Sequence, residues 1–439
     1  MSEGYSLNSC HLLTADTASA SSAIRKISLN ILLVADVSIA NVTSGSERVL
    51  YEQSTYLAKM GHEVHLLTRR LPLHKSDEEK IDEVKEWRYS YNKKLPYPFL
   101  KSLLFDCRRS FSSLQRKSSF DIINFHQPFS AVGVLSSRSS NGIPTIYTCH
   151  SLSFEEYCSR ESPPRNAIEW ISYRMQLLGR KLLEETALKK SSRIVTLSRY
   201  SKKKLEKVYD LPSEKIHVIP GGVDLNRFRP QKDKQTLRFR LGIPDGHFTL
   251  LTVRNLESRM GLENLILAMK RVVQEKTDTL LIMGGAGPLA QQLKDLAREA
   301  GVTDYVRFAG YIPEEELPSY YQMADLFILP TVELEGFGLV TVEALASGLP
   351  VLGTPVGGTK EILAHMGPEF LFADSTPESM AELILKTIQT WGSDSEAYTQ
   401  ISLKCRNAAE KNYSWDAHVI QLESLFRSIC SPSNQNGDL

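Results

Sequence analysis

Hydrophobic residues along this chain gather into short, nearly unbroken runs separated by longer amphipathic stretches. The first run, over residues 27–35, has too few polar positions for a sheet with one wet face, and it reads as a strand covered on both sides. A loop of small residues follows (Asn41, Thr43, Ser44, Gly45, Ser46), then a helical pattern that stops at Gly61, a residue suited to a left-handed cap. Strand-like runs recur at 63–68, 121–125, 145–149, 193–197 and 215–219, with helical stretches between most of them, notably 167–190. Strands alternating with helices imply a parallel sheet with right-handed crossovers.

The alternation breaks at Pro220-Gly221-Gly222-Val223-Asp224 and a polar stretch through Gln235, then restarts. Strands are expected at 248–253, 279–283, 306–309, 325–329 and 351–353, with helices starting near Gly261, Pro288, Pro313, Gly338 and Gly358. The pattern predicts an α/β protein of two tandem doubly wound, Rossmann-like domains facing a cleft. The expected N-terminal domain covers 27–225 and the C-terminal one 226–412; a helix over 413–430 could cross back to the first domain. Residues 1–26 and 431–439 read as flexible tails. In such sheets ligands sit beyond the carboxyl ends of the strands, so the chemistry is expected in the cleft.

Composition narrows the field. A chain of 439 residues is too long for one comfortable core. Lys+Arg (52) and Asp+Glu (51) nearly cancel, so no global field suggests a nucleic-acid partner. Six scattered cysteines without a CxxC argue against a disulfide framework or a zinc site. With no secretory leader pattern and no apolar run of the ~18 residues that span a bilayer, a cytoplasmic location is expected. One stretch stands apart: between 85 and 117 there are nine basic residues against Glu86 and Asp106, with Trp87, Tyr89, Tyr91, Tyr97, Phe99, Phe105 and Phe111 interleaved. It reads either as a solvated, partly helical face with its aromatics turned inward, or as a surface meeting anionic headgroups at the cytosolic face of a membrane.

The strongest chemical signal is Glu335-Gly336-Phe337-Gly338-Leu339-Val340-Thr341-Val342-Glu343, directly after the strand at 325–329. Glu335 falls in a loop at a strand's carboxyl end, where a side chain can reach the cleft. Gly336 and Gly338 remove bulk where backbone N–H groups at a helix start can approach a pyrophosphate. Glu343 falls inside the helix, about 12 Å further on, where it could accept hydrogen bonds from ribose hydroxyls. Gly348 ends that helix, and a second glycine loop follows at Gly357 and Gly358.

This motif, continued as Glu-Ala-Leu-Ala-Ser-Gly-Leu-Pro-Val, resembles that of the retaining glycosyltransferases of family 4, which have the GT-B fold. The resemblance runs from about 27 to 426 and includes Phe125-His126-Gln127-Pro128, Ile219 to Asp224, Gly284-Gly285-Ala286-Gly287-Pro288-Leu289 and Phe308-Ala309-Gly310-Tyr311-Ile312. It implies that Glu335 binds donor-sugar hydroxyls, that Glu343 binds ribose, and that amides from Phe337 to Leu339 hold the diphosphate. Gly285 and Gly287 would belong to the donor site, and Gly310-Tyr311 would face the base. His126 would contact the donor sugar beneath the scissile bond; a lone histidine is more often a satisfied structural group, but the His-Gln-Pro turn points to function. His150 ends a strand at a recurrent position and, with Ser44 and Gly45, is placed on the acceptor side. Specificity is expected in the loops at 36–46 and 69–117.

In one place the chain departs from the family pattern. An Arg and a Lys usually follow the first strand of the second domain, and here Asn255 and Met260 fall in register with them. Arg254 and Arg259 are each one residue away, so either they have taken over the phosphate role or the site is electrostatically weakened; Arg259, at a helix entrance, is the better placed. No Asp-x-Asp follows a strand; Asp394-Ser395-Glu396 reads as a polar turn. Neutralisation of the leaving diphosphate is therefore assigned to arginines and a helix N-terminus, at ~3 kcal/mol per well-placed donor, with no metal and no cofactor. The expected activity is metal-independent transfer, with retention, from a UDP- or GDP-sugar to a hydroxyl of a saccharide, lipid-linked or small-metabolite acceptor. A catalytically silent nucleotide-sugar binder, and an epimerase or phosphorylase on the same fold, are the alternatives.

Overall fold

A computed structural model describes residues 28–40, 42, 44–72, 74–90, 102–161, 164–231, 233–392 and 394–431. Asn41 and Thr43 of the small-residue loop, residues 91–101 of the basic aromatic stretch, the expected N-terminal tail and all but Ser431 of the C-terminal one lie outside them.

The first sheet has eight strands: β1 (Asn30–Val34), β2 (Glu63–Arg69), β3 (Glu78–Ile81), β4 (Val84–Tyr89), β5 (Ile122–Phe125), β6 (Thr145–Cys149), β7 (Arg193–Thr196) and β8 (Ile216–Val218). They lie in the order β3-β4-β2-β1-β5-β6-β7-β8, parallel except for β3. The central strands are buried from Ile31 to Val34 in β1 and along all of β5 and β6, as their apolar runs imply, and helices cover both faces. The helix over Ala167–Lys190 has the expected bounds.

The basic aromatic stretch is corrected at its start. Val84–Tyr89 is not part of a helical face but a strand paired with β2, and Tyr89 is fully buried. Its far end, Cys107–Lys117, is a helix with Phe111 in the core.

The second sheet is all parallel, in the order β11-β10-β9-β12-β13, from β9 (Phe248–Val253), β10 (Thr279–Gly284), β11 (Val306–Gly310), β12 (Leu326–Leu329) and β13 (Val351–Gly353). Asp394 caps the helix Ser395–Asn412 by accepting from the Glu396 and Ala397 amides.

Two segments connect the sheets, side by side. Val223 N–H donates to Tyr413 O at 2.8 Å and bridges to Ser414. Gly222 abuts Trp415 so closely that a Cβ would meet its backbone at 2.7 Å. Beyond this junction the helix Trp415–Cys430 packs on the first domain: Val419, Leu422 and Phe426 share a core with Leu50 and Leu57 of the helix Gly45–Lys59. Buried hydrogen bonds fix that seam, Gln53 Nε2 to His418 Nε2 at 2.9 Å and His62 Nε2 to Glu423 Oε1 at 3.2 Å.

Candidate active site

The site is assembled where the carboxyl ends of the two sheets face each other. From β12 the chain turns through Leu334, whose φ of 58° is costly for a branched side chain, into Glu335. The Glu335 side chain is nearly buried, and its Oε2 accepts from Arg254 Nη2 at 2.6 Å and Thr331 Oγ1 at 3.2 Å. Arg254 Nη2 also meets Met260 Sδ at 2.7 Å, while its Nε is buried with no partner among the described residues. Arg259 is engaged differently, donating to Leu334 O at 3.1 Å and Glu257 Oε2 at 3.2 Å. Arg254 therefore holds the carboxylate, and Arg259 braces the backbone that presents it. Register with the glycine did not reveal this division.

The next five residues form a row of donors. Among the described residues, no acceptor meets the backbone N–H groups of Gly336, Phe337, Gly338, Leu339 or Val340. Their carbonyls, in contrast, are engaged: Gly336 O accepts from Ser198 Oγ at 2.6 Å and Ser201 Oγ at 3.3 Å, and Gly338 O from Thr341 N at 2.9 Å. Gly338, at φ 96°, opens the helix Leu339–Ala346 in a left-handed conformation that needs glycine. Donors left open beside a helix start are an arrangement that suits an anion. Gly336 serves a second purpose not foreseen: a Cβ there would lie 2.5 Å from His150 O of the first domain. The Phe337 side chain is buried against Gly221 and Tyr413 at the junction.

The other donor-side glycines shape the backbone. A Cβ on Gly285 (φ 131°) would clash with Arg254 O, and one on Gly287 would lie 2.5 Å from Leu256 O. Gly310 (φ 71°) has open space around it, and Tyr311 beside it is 54% exposed, free to meet a planar group. Glu343 is buried, accepts from Tyr321 OH at 2.9 Å, and titrates above the usual carboxylate range because burial penalises its charge, an effect opposed by nearby Arg48. Arg48 also pairs with Glu314 across the domain junction, which Arg227 Nη2 meets at 2.7 Å.

On the first-domain side, His126 Nδ1 and His150 Nε2 lie 3.1 Å apart, and His126 Nε2 is 3.3 Å from Asn124 Nδ2. Burial pushes the His126 pKa well down and that of His150 down to about 4, so both imidazoles are neutral near pH 7. Both line a cavity of about 400 Å³ with Asp36, Ser46, Arg69, Gln127, Glu156 and Arg180. Asp36 Oδ1 accepts from Tyr89 OH at 3.0 Å and Ser130 N at 3.1 Å, while its Oδ2 is buried without a partner among the described residues. Ser44 and Gly45 do not line this cavity. Ser44 is the N-cap of the helix Gly45–Lys59, in a capping box with Glu47, and Gly45 faces Leu339 across the junction. A second cavity, of about 520 Å³, lies between the halves, with Tyr200 and Lys204 on one side and Val332 to Leu334 on the other.

Thus the structure brings His126, His150, Glu335, Arg254 and the row from Gly336 to Leu339 around one junction. Sequence reasoning missed Asp36, Arg69, Arg180 and Thr331 as lining or supporting groups, and Ser198 and Ser201 as the link between domains.

Two family models match adjacent halves of the chain. Residues 43–227 match Glycosyltransferase Family 4, and residues 233–407 match Glycosyl transferases group 1. The uncharacterized glycosyltransferase MJ1607 of Methanocaldococcus jannaschii is 29% identical over 237 residues, 53% of this chain and 59% of that relative's length. Mannosylfructose-phosphate synthase of Agrobacterium fabrum is 26% identical over 403 residues, covering 87% of this chain and 86% of the relative. Among solved structures, sucrose-phosphate synthase of Thermosynechococcus elongatus shares the fold with a TM-score of 0.76 at 21% identity, over 91% of this chain and 98% of that one. Both domains, the cleft and the loop of Glu335 are accounted for together: the chain belongs to glycosyltransferase family 4 and has the GT-B fold.

Proposed function

We propose that this chain transfers a sugar, with retention of configuration, from a nucleoside-diphosphate sugar to an acceptor hydroxyl in the cleft, and that no metal ion takes part. The observation that carries this reading is the row of amides from Gly336 to Val340, unpaired among the described residues, beside the Glu335–Arg254 pair. Departure of the diphosphate builds negative charge on its oxygens. The amides and the helix start would be the donors for it, which is the economical way to stabilise a developing anion. Glu335 Oε1, unbonded among the described residues, is free to grip a sugar hydroxyl while Oε2 stays with Arg254. Tyr311 would lie against the base and Glu343 would take the ribose.

His126, with its ring nitrogens engaged by His150 and Asn124, would present an uncharged ring to the sugar rather than a positive charge, which would oppose oxocarbenium character. The cavity beside them, polar and about 400 Å³, suits a hydroxyl-rich acceptor. UDP- and GDP-sugars are the proposed donors, and a saccharide, lipid-linked or small-metabolite hydroxyl the acceptor.

A thermal-shift screen against UDP-, GDP- and ADP-sugars identifies the donor, since binding raises Tm by mass action. With that donor, release of nucleoside diphosphate should survive EDTA and fall at least about 100-fold in Glu335→Gln, in a protein that still unfolds cooperatively. Strict dependence on a divalent cation, or full activity in Glu335→Gln, would refute the mechanism. An inverted anomeric centre in the product, seen by NMR, would refute retention.

A further inference from the structure

The helix Ala167–Lys190 carries an apolar surface that the described fold leaves uncovered. Its buried residues, Glu184, Ala187 and Leu188, are confined to its C-terminal end. Ile168, Ile171, Met175, Leu178 and Leu182 are 81, 59, 65, 53 and 53% exposed. Their spacing alternates between three and four residues, which aligns all five on one stripe about 21 Å long. Trp170 stands on the same exposed half, with the Arg174 guanidinium 5.2 Å from its ring centre. Exposed apolar side chains normally occur singly; a continuous row marks a contact surface.

Charge selects the occupant. Between 165 and 182 the exposed cations are Arg165 and Arg174, with Lys181 partly exposed, and the one acid is Glu169; Arg180 turns inward, its guanidinium over Phe129 and Tyr157. The Glu169 carboxylate is already taken up at the helix start by Arg165 N at 2.7 Å and Asn166 Nδ2 at 2.9 Å. If a second copy packed on the stripe as a coiled coil, Arg174 and Lys181 would take the flanking positions. In an antiparallel pair they would face each other, and in a parallel pair they would face Ser172 and Gly179, so neither register gives an opposite charge.

An anionic bilayer fits both features, with the stripe in the acyl boundary and the cations among the headgroups. The helix packs on Pro128–Leu135, which packs on Ser102–Asp106, where Phe105 is 59% exposed and Arg108 and Arg109 stand exposed just beyond. No described helix is long and apolar enough to cross a membrane, so the contact is that of a helix lying on the surface.

We infer that this face of the first domain docks on an anionic lipid surface through the stripe Ile168–Leu182 and its flanking arginines and lysine. The inference goes beyond glycosyl transfer and does not depend on it. The test is cosedimentation of the full chain with phosphatidylcholine vesicles, with and without one third phosphatidylglycerol. Binding should require the anionic lipid, weaken with salt, and fall about tenfold or more in Ile171→Glu/Leu178→Glu and in Arg174→Gln/Lys181→Gln.

Ile171, Arg174 and Leu178 are exposed and Lys181 is partly so, its Nζ 5.8 Å from the Phe154 ring centre, so Tm and nucleoside-diphosphate binding should stay near the level of the unsubstituted chain in both variants. Equal binding by the variants, or none by the unsubstituted chain, overturns the inference. A dimer that Ile171→Glu/Leu178→Glu abolishes, without vesicle binding, overturns it in favour of a second copy. Vesicle binding that persists in a protein taking no nucleotide-sugar would count against the transferase reading alone.

Discussion

Removing the guanidinium of Arg254 leaves the Glu335 carboxylate, 8% exposed, with only the Thr331 hydroxyl for company. An unpaired buried charge costs about 3 kcal/mol or more, so Arg254→Ala is expected to lose that much stability along with activity. Glu335→Ala/Arg254→Ala should recover much of the loss, because the stranded charge goes with its partner. Urea unfolding of the two single variants and the double variant measures the coupling, and additive losses would contradict a direct pair. Arg259→Ala, which removes contacts to Leu334 O and Glu257, should cost less stability and loosen the loop that presents Glu335.

The histidines give a pH signature. Burial holds His150 at about 4, against 6.5 when unfolded, so below pH 6.5 the unfolded chain binds a proton that the folded one refuses. The penalty is absent above that pH and grows as pH falls towards 4. Glu52 and Glu184, each raised to about 7 by burial, act in the opposite sense, since the folded chain binds their protons first. The comparison to make is therefore between the unsubstituted chain and His150→Gln. From pH 7 to 5 the variant should lose less stability, by on the order of 2 kcal/mol. Parallel stability curves would mean that His150 is not held neutral by burial.

At the scale of elements, the segment from Glu335 to the helix Leu339–Ala346 does two jobs with the same glycines. Gly336 lets the loop lie against His150 O while its carbonyl takes hydrogen bonds from Ser198 and Ser201. Gly336→Ala is accordingly expected to push the halves apart, lowering turnover at least about tenfold and stability by about 1–3 kcal/mol. Turnover and Tm together check this, and an unaffected variant would mean that the contact is not maintained in solution.

What could be read in advance follows the same physics. Parallel strands buried on both faces leave apolar runs, so β9 and β13 fall on their expected bounds and other strands within a few residues. The hairpin of β3 and β4 escaped notice because β3 reads Glu-Glu-Lys-Ile at a sheet edge, with no apolar alternation to announce it. Glu335 and the glycines are contiguous and legible as a motif. Asp36, Arg69 and Arg180 are brought into one cavity only by the strand order, and no local spacing carries that information. Ser44 could have been read: Ser-x-x-Glu before a helix is the signature of the cap it forms.

At the scale of the whole molecule, the first domain is completed by the last described helix. Without Trp415–Cys430, Leu50 and Leu57 lose Val419, Leu422 and Phe426 as neighbours, and three large apolar side chains represent several kcal/mol of burial. Truncation after Tyr413 should destabilise the first domain selectively. Hydrogen exchange resolved by segment would show protection lost in Gly45–Lys59 and kept in β9 to β13, and uniform loss would argue that the two domains unfold as one. The chain passes between the domains twice, at Val223 and at Tyr413–Ser414, and the two passages are hydrogen-bonded to each other. Two tethers fastened together at one point act as a single pivot: the halves can swing open about it, yet neither can slide or spin freely against its neighbour. A probe on the helix Trp415–Cys430 would accordingly ride with the first domain through every such swing, reporting the motion of the donor half only from across the gap.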